Sequence, residues 1–149
     1  MNPYINSKIL FNAGKEPPRI GVFGVGFDKY WEQFPGLLDE LMRKHEVLIN
    51  KISNKGAVIT DFGMIDNPAK AYSVLKKIEA SNPDLIFCNM LTYATSGTFG
   101  IIIKSLSVPV VLVALQPMKA LDYNKASIYM QLCNDDICSL PEFAGVAVR

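Results

Sequence analysis

Four short apolar runs alternate with longer segments along this chain: "RIGVFGVGF" (19–27), "AVITDF" (57–62), "DLIFCNM" (84–90) and "VPVVLVALQP" (108–117). In the intervening segments apolar residues recur at three- and four-residue steps, the period of a helix with one buried face. Strands separated by helices must cross over to lie parallel, and such crossovers are right-handed in nearly all cases. The alternation therefore predicts an α/β domain of the flavodoxin-like kind, a doubly wound parallel sheet in a three-layer arrangement. With 149 residues, half of them hydrophobic, the chain suffices for a single domain that buries roughly two thirds of its unfolded surface.

Local signals place the elements. Trp31, Phe34, Leu37, Leu38, Leu41 and Met42 form a helical stripe, with Pro35 near the start of the regular helix and 28–34 as an irregular lead-in. "HEVLIN" (45–50) fits either a buried strand or the end of that helix, and the turn residues 54–56 favour the strand at 57–62. Asp66 to Pro68 open the next helix through an Asx cap with proline at its first position, and Ala71, Val74, Leu75 and Ile78 share a face over 69–80. Ser81 to Pro83 stop it. Thr95 or Ser96 caps a helix reaching about Leu106, the run 108–117 reads as a strand buried on both faces, and 121–132 is helical or irregular. A last helix begins at Ser139, with Pro141 and Glu142 in its first turn. It meets no stop signal before Arg149, which predicts a fragment of a longer protein. Residues 1–18 read as an arm ending at Pro17 and Pro18, ahead of a domain over 19–149. Tyr4, Ile5, Ile9, Leu10 and Phe11 of the arm are candidate subunit contacts.

Charge and composition exclude several functions. Fifteen Lys and Arg face fourteen Asp and Glu, so no basic excess exists to neutralise a nucleic-acid backbone. No run approaches the about 18 apolar residues of a membrane span, and the N-terminus lacks the compact apolar core of an export signal, so a cytoplasmic protein is expected. Three cysteines at unlike spacings, Cys88, Cys133 and Cys138, read as reduced thiols.

The stretch "GVFGVGFDKYW" (21–31) poses the question of a phosphate loop. A dinucleotide fingerprint needs a third glycine where this chain has Lys29, and Asp28 sets a carboxylate where phosphates would sit. Close packing of the strand accounts for Gly21 and Gly24, and the absence of a following Gly-Lys-Ser/Thr excludes a P-loop. A phosphoacceptor receiver is disfavoured by the lack of an aspartate at the end of the third strand. His45, the single histidine, lies between Lys44 and Glu46 and reads as a solvated helix position with a structural role. Asp135 and Asp136 read as a solvated turn, and Cys133 with Cys138 as ordinary thiols rather than half a metal site. What remains is a set of polar groups at the strand ends: Asp28, Tyr30, Gln33, Asn89, Thr92, Tyr93, Thr95, Ser96, Gln116 and Glu142. Neutral hydrogen-bonding groups beside aromatic rings suit a polyhydroxylated ligand better than an anion.

Four strings in order, "FDKYWEQFPGLLDEL", "LTYATSGTFG", "VPVVLVALQPMKALDY" and "CSLPEFAGVAVR", resemble the N-terminal domain of the L-arabinose and L-fucose isomerase family over about 19–149. The resemblance implies part of an aldose–ketose isomerase whose Mn2+ ligands, two glutamates and two histidines, lie in domains outside this chain. It also implies a homo-oligomer, a trimer or hexamer, in which this domain contacts the sugar at a neighbouring subunit's site, and no activity for this chain alone. Tyr30 matches the tyrosine of the family's first loop, Thr92 the threonine after the third strand and Gln116 the glutamine after the fourth. The family's histidines in these loops are replaced here. Asp28, Tyr30, Thr92 and Gln116 are thus the expected sugar contacts. The alternative is a non-catalytic flavodoxin-like carbohydrate-binding or oligomerisation module.

Overall fold

A computed structural model describes residues 16–148. The elements follow in the order β1 (Arg19–Val25), α1 (Lys29–Gln33), α2 (Leu37–Ser53), β2 (Val58–Ile65), α3 (Pro68–Ser81), β3 (Leu85–Met90), α4 (Ser96–Ile103), β4 (Val110–Ala114), α5 (Ile128–Leu132) and α6 (Leu140–Ala147). The four strands form one all-parallel sheet in the order β2-β1-β3-β4. The α/β doubly wound, flavodoxin-like architecture is as expected. The arm residues Tyr4, Ile5, Ile9, Leu10 and Phe11 lie outside the described residues. No described helix is long and apolar enough to cross a membrane.

The two faces of the sheet follow from the alternation of side chains along each strand. Phe23, Val25, Ile86, Cys88 and Met90 turn toward α3, α4 and α6, where they join Ala71, Val74, Ile78, Phe99, Ile102 and Phe143 in the main core. Ile20 and Val22 turn the other way and meet Leu48 of α2. Leu37 and Leu41 at the start of α2 form a third cluster with Leu91 and Leu132. Each such fully buried leucine contributes about 1.5–3 kcal/mol relative to an exposed one.

Helix boundaries have local causes. Asn67 caps α3 by accepting from the Lys70 amide at 3.0 Å, with Pro68 at the first position, as the sequence predicts. "HEVLIN" belongs to α2, which runs on to Ser53. Part of the irregular lead-in is the short helix α1, and Gly36 at φ +84° turns the chain into α2. β2 extends three residues past Phe62 because it carries a bulge: the pairing with β1 shifts between Val22 and Gly24, and Gly63 takes φ +73°. α4 is capped differently from expectation. Thr95 accepts no amide, and the Ser96 N–H donates at 3.3 Å to Glu142 of α6. β4 departs most from the sequence reading. It is an edge strand, none of its residues is fully buried, and Val111 is 40% exposed. An uninterrupted apolar run thus belongs here to an edge strand that is only partly covered, at Val110, Leu112 and Ala114 on one face and at Val113 on the other.

Candidate functional site

The glycines of β1 and its exit are filled by protein. A Cβ on Gly21 would lie 2.8 Å from the Phe62 ring, one on Gly24 2.7 Å from Leu91 Cδ1, and one on Gly26 2.9 Å from the Trp31 ring. Each glycine admits a side chain from a neighbouring element, and space that a phosphate would need is taken. The lip that follows is pinned from below by Asp66. Its buried carboxylate accepts from Trp31 Nε1 at 2.8 Å, Lys70 Nζ at 2.7 Å and Asn67 Nδ2 at 3.0 Å, and its carbonyl accepts from the Asp28 amide at 3.3 Å.

The sheet order reverses between β1 and β3, so the crevice beyond their carboxyl ends is the topological switch point where doubly wound sheets bind ligands. A cleft of about 480 Å3 opens there, lined by Tyr30, Gln33, Phe34, Tyr93, Ile128, Gln131, Leu132, Asp135 and Cys138. One wall comes from α1 and the loop after β3, the other from α5 and the turn after it. Tyr30 packs edge-on against Phe27 with centroids 5.3 Å apart, and lies 6.4 Å from Tyr93. Burial first, then the Tyr93 phenol, raises the Tyr30 pKa, so its hydroxyl stays protonated and able to donate. Burial pushes the Cys138 thiol up to about 11, which keeps it protonated and a poor nucleophile. The lining contains a carboxylate and two primary amides but no Lys, Arg or His. It offers hydrogen bonds and aromatic faces without a cation for an anionic group.

The second wall is tied down by groups that read differently in sequence. Asp136 is 1% exposed rather than solvated, and Lys44 Nζ donates to its Oδ1 at 2.9 Å. The same ammonium donates to the Cys133 carbonyl at 2.8 Å and reaches the Leu91 carbonyl at 3.4 Å. Ser139 Oγ accepts from the Ala94 amide at 3.1 Å and donates to its carbonyl at 3.0 Å. His45 is likewise 1% exposed, which corrects the solvated reading. Its Nε2 lies 2.9 Å from Asp61 Oδ1, and its Nδ1 3.2 Å from Asn89 Nδ2, an arrangement that assigns the proton to Nε2. The His45 hydrogen bond holds the Asp61 pKa below the usual carboxylate range. A larger cleft of about 650 Å3 lies beside this pair, along α2 and away from the strand ends.

Of the expected sugar contacts, Tyr30 lines the switch-point cleft, as do Gln33 and Tyr93 from the wider polar set. Asp28 is half-buried on the lip, 3.9 Å from its neighbour Lys29. Thr92 is fully buried, and its hydroxyl has no hydrogen-bond partner among the described residues. Gln116 is exposed and supports the second wall from outside, donating to the Asn134 carbonyl at 3.1 Å. Sequence reasoning missed Gln131 and Lys44, because nothing near either in sequence signals that α5 folds back over the strand ends. Among the described residues no three His, Cys, Asp or Glu side chains gather as a metal site. No protein-family model and no curated protein sequence matches the chain.

Proposed function

We propose that the chain is a sugar-contacting and subunit-assembly domain of an aldose–ketose isomerase-like protein. The observation that carries this reading is the cation-free cleft at the switch point, where Tyr30 and Tyr93 stand with Gln33, Gln131 and Asp135. Aromatic faces pack against the C–H face of a sugar ring while amides and a carboxylate bind its hydroxyls, and nothing in the lining favours a phosphorylated ligand. The resemblance of four ordered strings to arabinose and fucose isomerases supports the reaction class. Mn2+ and the acid–base groups then come from other domains, and trimeric or hexameric assembly brings them to this cleft. Free thiols at Cys88, Cys133 and Cys138 suit a cytoplasmic setting.

The test is a titration of the purified chain with neutral aldoses and ketoses and with their phosphates, followed by amide chemical shifts. Neutral sugars are expected to shift the Tyr30–Phe34 and Gln131–Cys138 amides saturably, and Tyr93→Ala to abolish the effect. Binding of none of them, or tighter binding of the phosphates, refutes the reading. The half-exposed edge strand β4, with Val111 open and Leu115 open just past its end, favours a second reading as a non-catalytic oligomerisation module. That reading gains if the gene beyond Arg149 encodes no pair of glutamates and pair of histidines placed as metal ligands.

A further inference from the structure

We propose that Lys44 is the positioning residue of the switch-point cleft, stapling its two walls together from behind; this rests on reading that cleft as the ligand site. Lys44 does not line the cleft. Its ammonium has three protons and no acceptor, and their acceptors lie on two separate stretches of chain, at Leu91 and at 133–136. Leu91, whose carbonyl takes the longest of the contacts at 3.4 Å, stands two residues before Tyr93 of the first wall. Cys133, at 2.8 Å, is the C-cap of α5, and Asp136, at 2.9 Å, lies between Asp135 and Cys138 of the second wall. Lys44 itself projects from α2, which Leu37, Leu41 and Leu48 fix to the body of the domain. One charge therefore relates both walls to the same rigid helix.

The second wall needs such a staple. It is reached through residues 115–127, which are exposed almost throughout, so the connection from β4 restrains it little. Its apolar anchor is Leu132, with the partly buried Tyr129 and Cys133 packed beside it against the same cluster. The remaining attachments are polar: Ser139 on Ala94, Gln116 and the Met118 amide on Asn134, and Lys44. Of these, only Lys44 joins the α5 end and the following turn to a helix of the body. Without it the wall is free to open about 115–127 and 139, and a ligand that needs both walls binds only the closed fraction.

Two variants decide the proposal. Lys44→Met keeps the stem and removes the ammonium, leaving Asp136 unpaired. Lys44→Met with Asp136→Asn removes both charges, and remains readable if the single variant does not fold. Hydrogen exchange of ligand-free protein is expected to rise in peptides covering 127–139 by at least about tenfold in both variants, about 1.4 kcal/mol of local opening, with β1 and β3 unchanged. Neutral-sugar affinity is expected to fall in the same proportion. Restoration of wild-type exchange in the double variant overturns the proposal, since the effect would then be that of an unpaired charge. A uniform rise across the chain, no rise, or loosening without loss of affinity also overturns it. Absence of sugar binding by the wild-type chain sinks the functional reading instead, while the staple is then decided by exchange alone.

Discussion

Replacing Gly24 with alanine separates a packing role for the β1 glycines from a ligand-cradling one. The added Cβ would stand 2.7 Å from Leu91 Cδ1, 3.4 Å from His45 Nδ1 and 3.7 Å from His45 Cε1. Carbon atoms prefer about 3.5–4.0 Å, so the overlap with Leu91 is roughly 1 Å. Neither neighbour has room to retreat. Leu91 is 1% exposed within the cluster of Leu37, Leu41 and Leu132, and His45 is held on both ring nitrogens by Asp61 and Asn89. Overpacking of this kind costs about 1–3 kcal/mol, partly offset by the up to about 1 kcal/mol gained when glycine leaves a strand interior. A net loss of about 1 kcal/mol lowers the thermal midpoint of a domain this size by about 3 °C. Thermal and urea unfolding at neutral pH measure it. Gly97→Ala is the control, because it lies in the first turn of α4 with nothing within 4 Å of the built Cβ and should be neutral or stabilise by up to about 0.5 kcal/mol. Leu91→Val in the Gly24→Ala background should recover part of the loss, since the two substitutions share one space. If Gly24→Ala matches wild type or behaves like Gly97→Ala, the packing account fails.

Two further outcomes follow from the polar interior. Ser139→Ala orphans the amide and the carbonyl of Ala94 in a buried setting and should cost about 2–3 kcal/mol, whereas Glu142→Gln, on an exposed bond to the Ser96 amide, should cost about 0.5 kcal/mol; a urea series that ranks them equally refutes the assignment. The Asp61 carboxyl titrates lower in the folded state than unfolded, chiefly through the His45 hydrogen bond, so its stabilisation is fully present above the unfolded value near about pH 3.9 and is lost as pH falls through the folded value. Asp61→Asn should therefore lose less stability than wild type between about pH 4 and pH 2, read as urea midpoints, and an unchanged acid slope counts against the pairing.

The elements legible in the sequence are those whose causes are local. Asn67 and Pro68 announce α3 because a capping side chain and a ring without an N–H act within three residues, and Ala71, Val74 and Ile78 lie at the spacing of one helix face. The sequence neighbours of His45 give the wrong burial for it. Lys44 and Glu46 are about 100° away around the helix, while the residues that share its face are Leu41 and Leu48, both buried. The stripe Leu37, Leu41, His45, Leu48 announces a buried histidine once read at that spacing. β4 illustrates the opposite limit. Its apolar run reports that the strand is hydrophobic, yet how completely it is covered depends on helices placed by the whole topology. Asp136 could not be read locally at all, since its partner Lys44 is 92 residues away.

The same distinction bears on where a ligand sits. At a doubly wound switch point, a glycine-rich exit from β1 would ordinarily leave backbone N–H groups bare for phosphate. Here Gly24 and Gly26 are occupied by Leu91, His45 and Trp31, and Trp31 is anchored by its Nε1 to the buried Asp66. The filled loop displaces open space outward, beyond Tyr30, to where α5 returns across the strand ends. A site built that way depends on side chains from distant segments rather than on a backbone nest, and such side chains favour hydroxyl-rich, uncharged ligands over anions. On the proposed sugar-binding reading, discrimination between a sugar and its phosphate is therefore the sharpest expectation from the filled glycine loop: Gly26 leaves no cradle, and the cleft beyond it carries Asp135 but no cation.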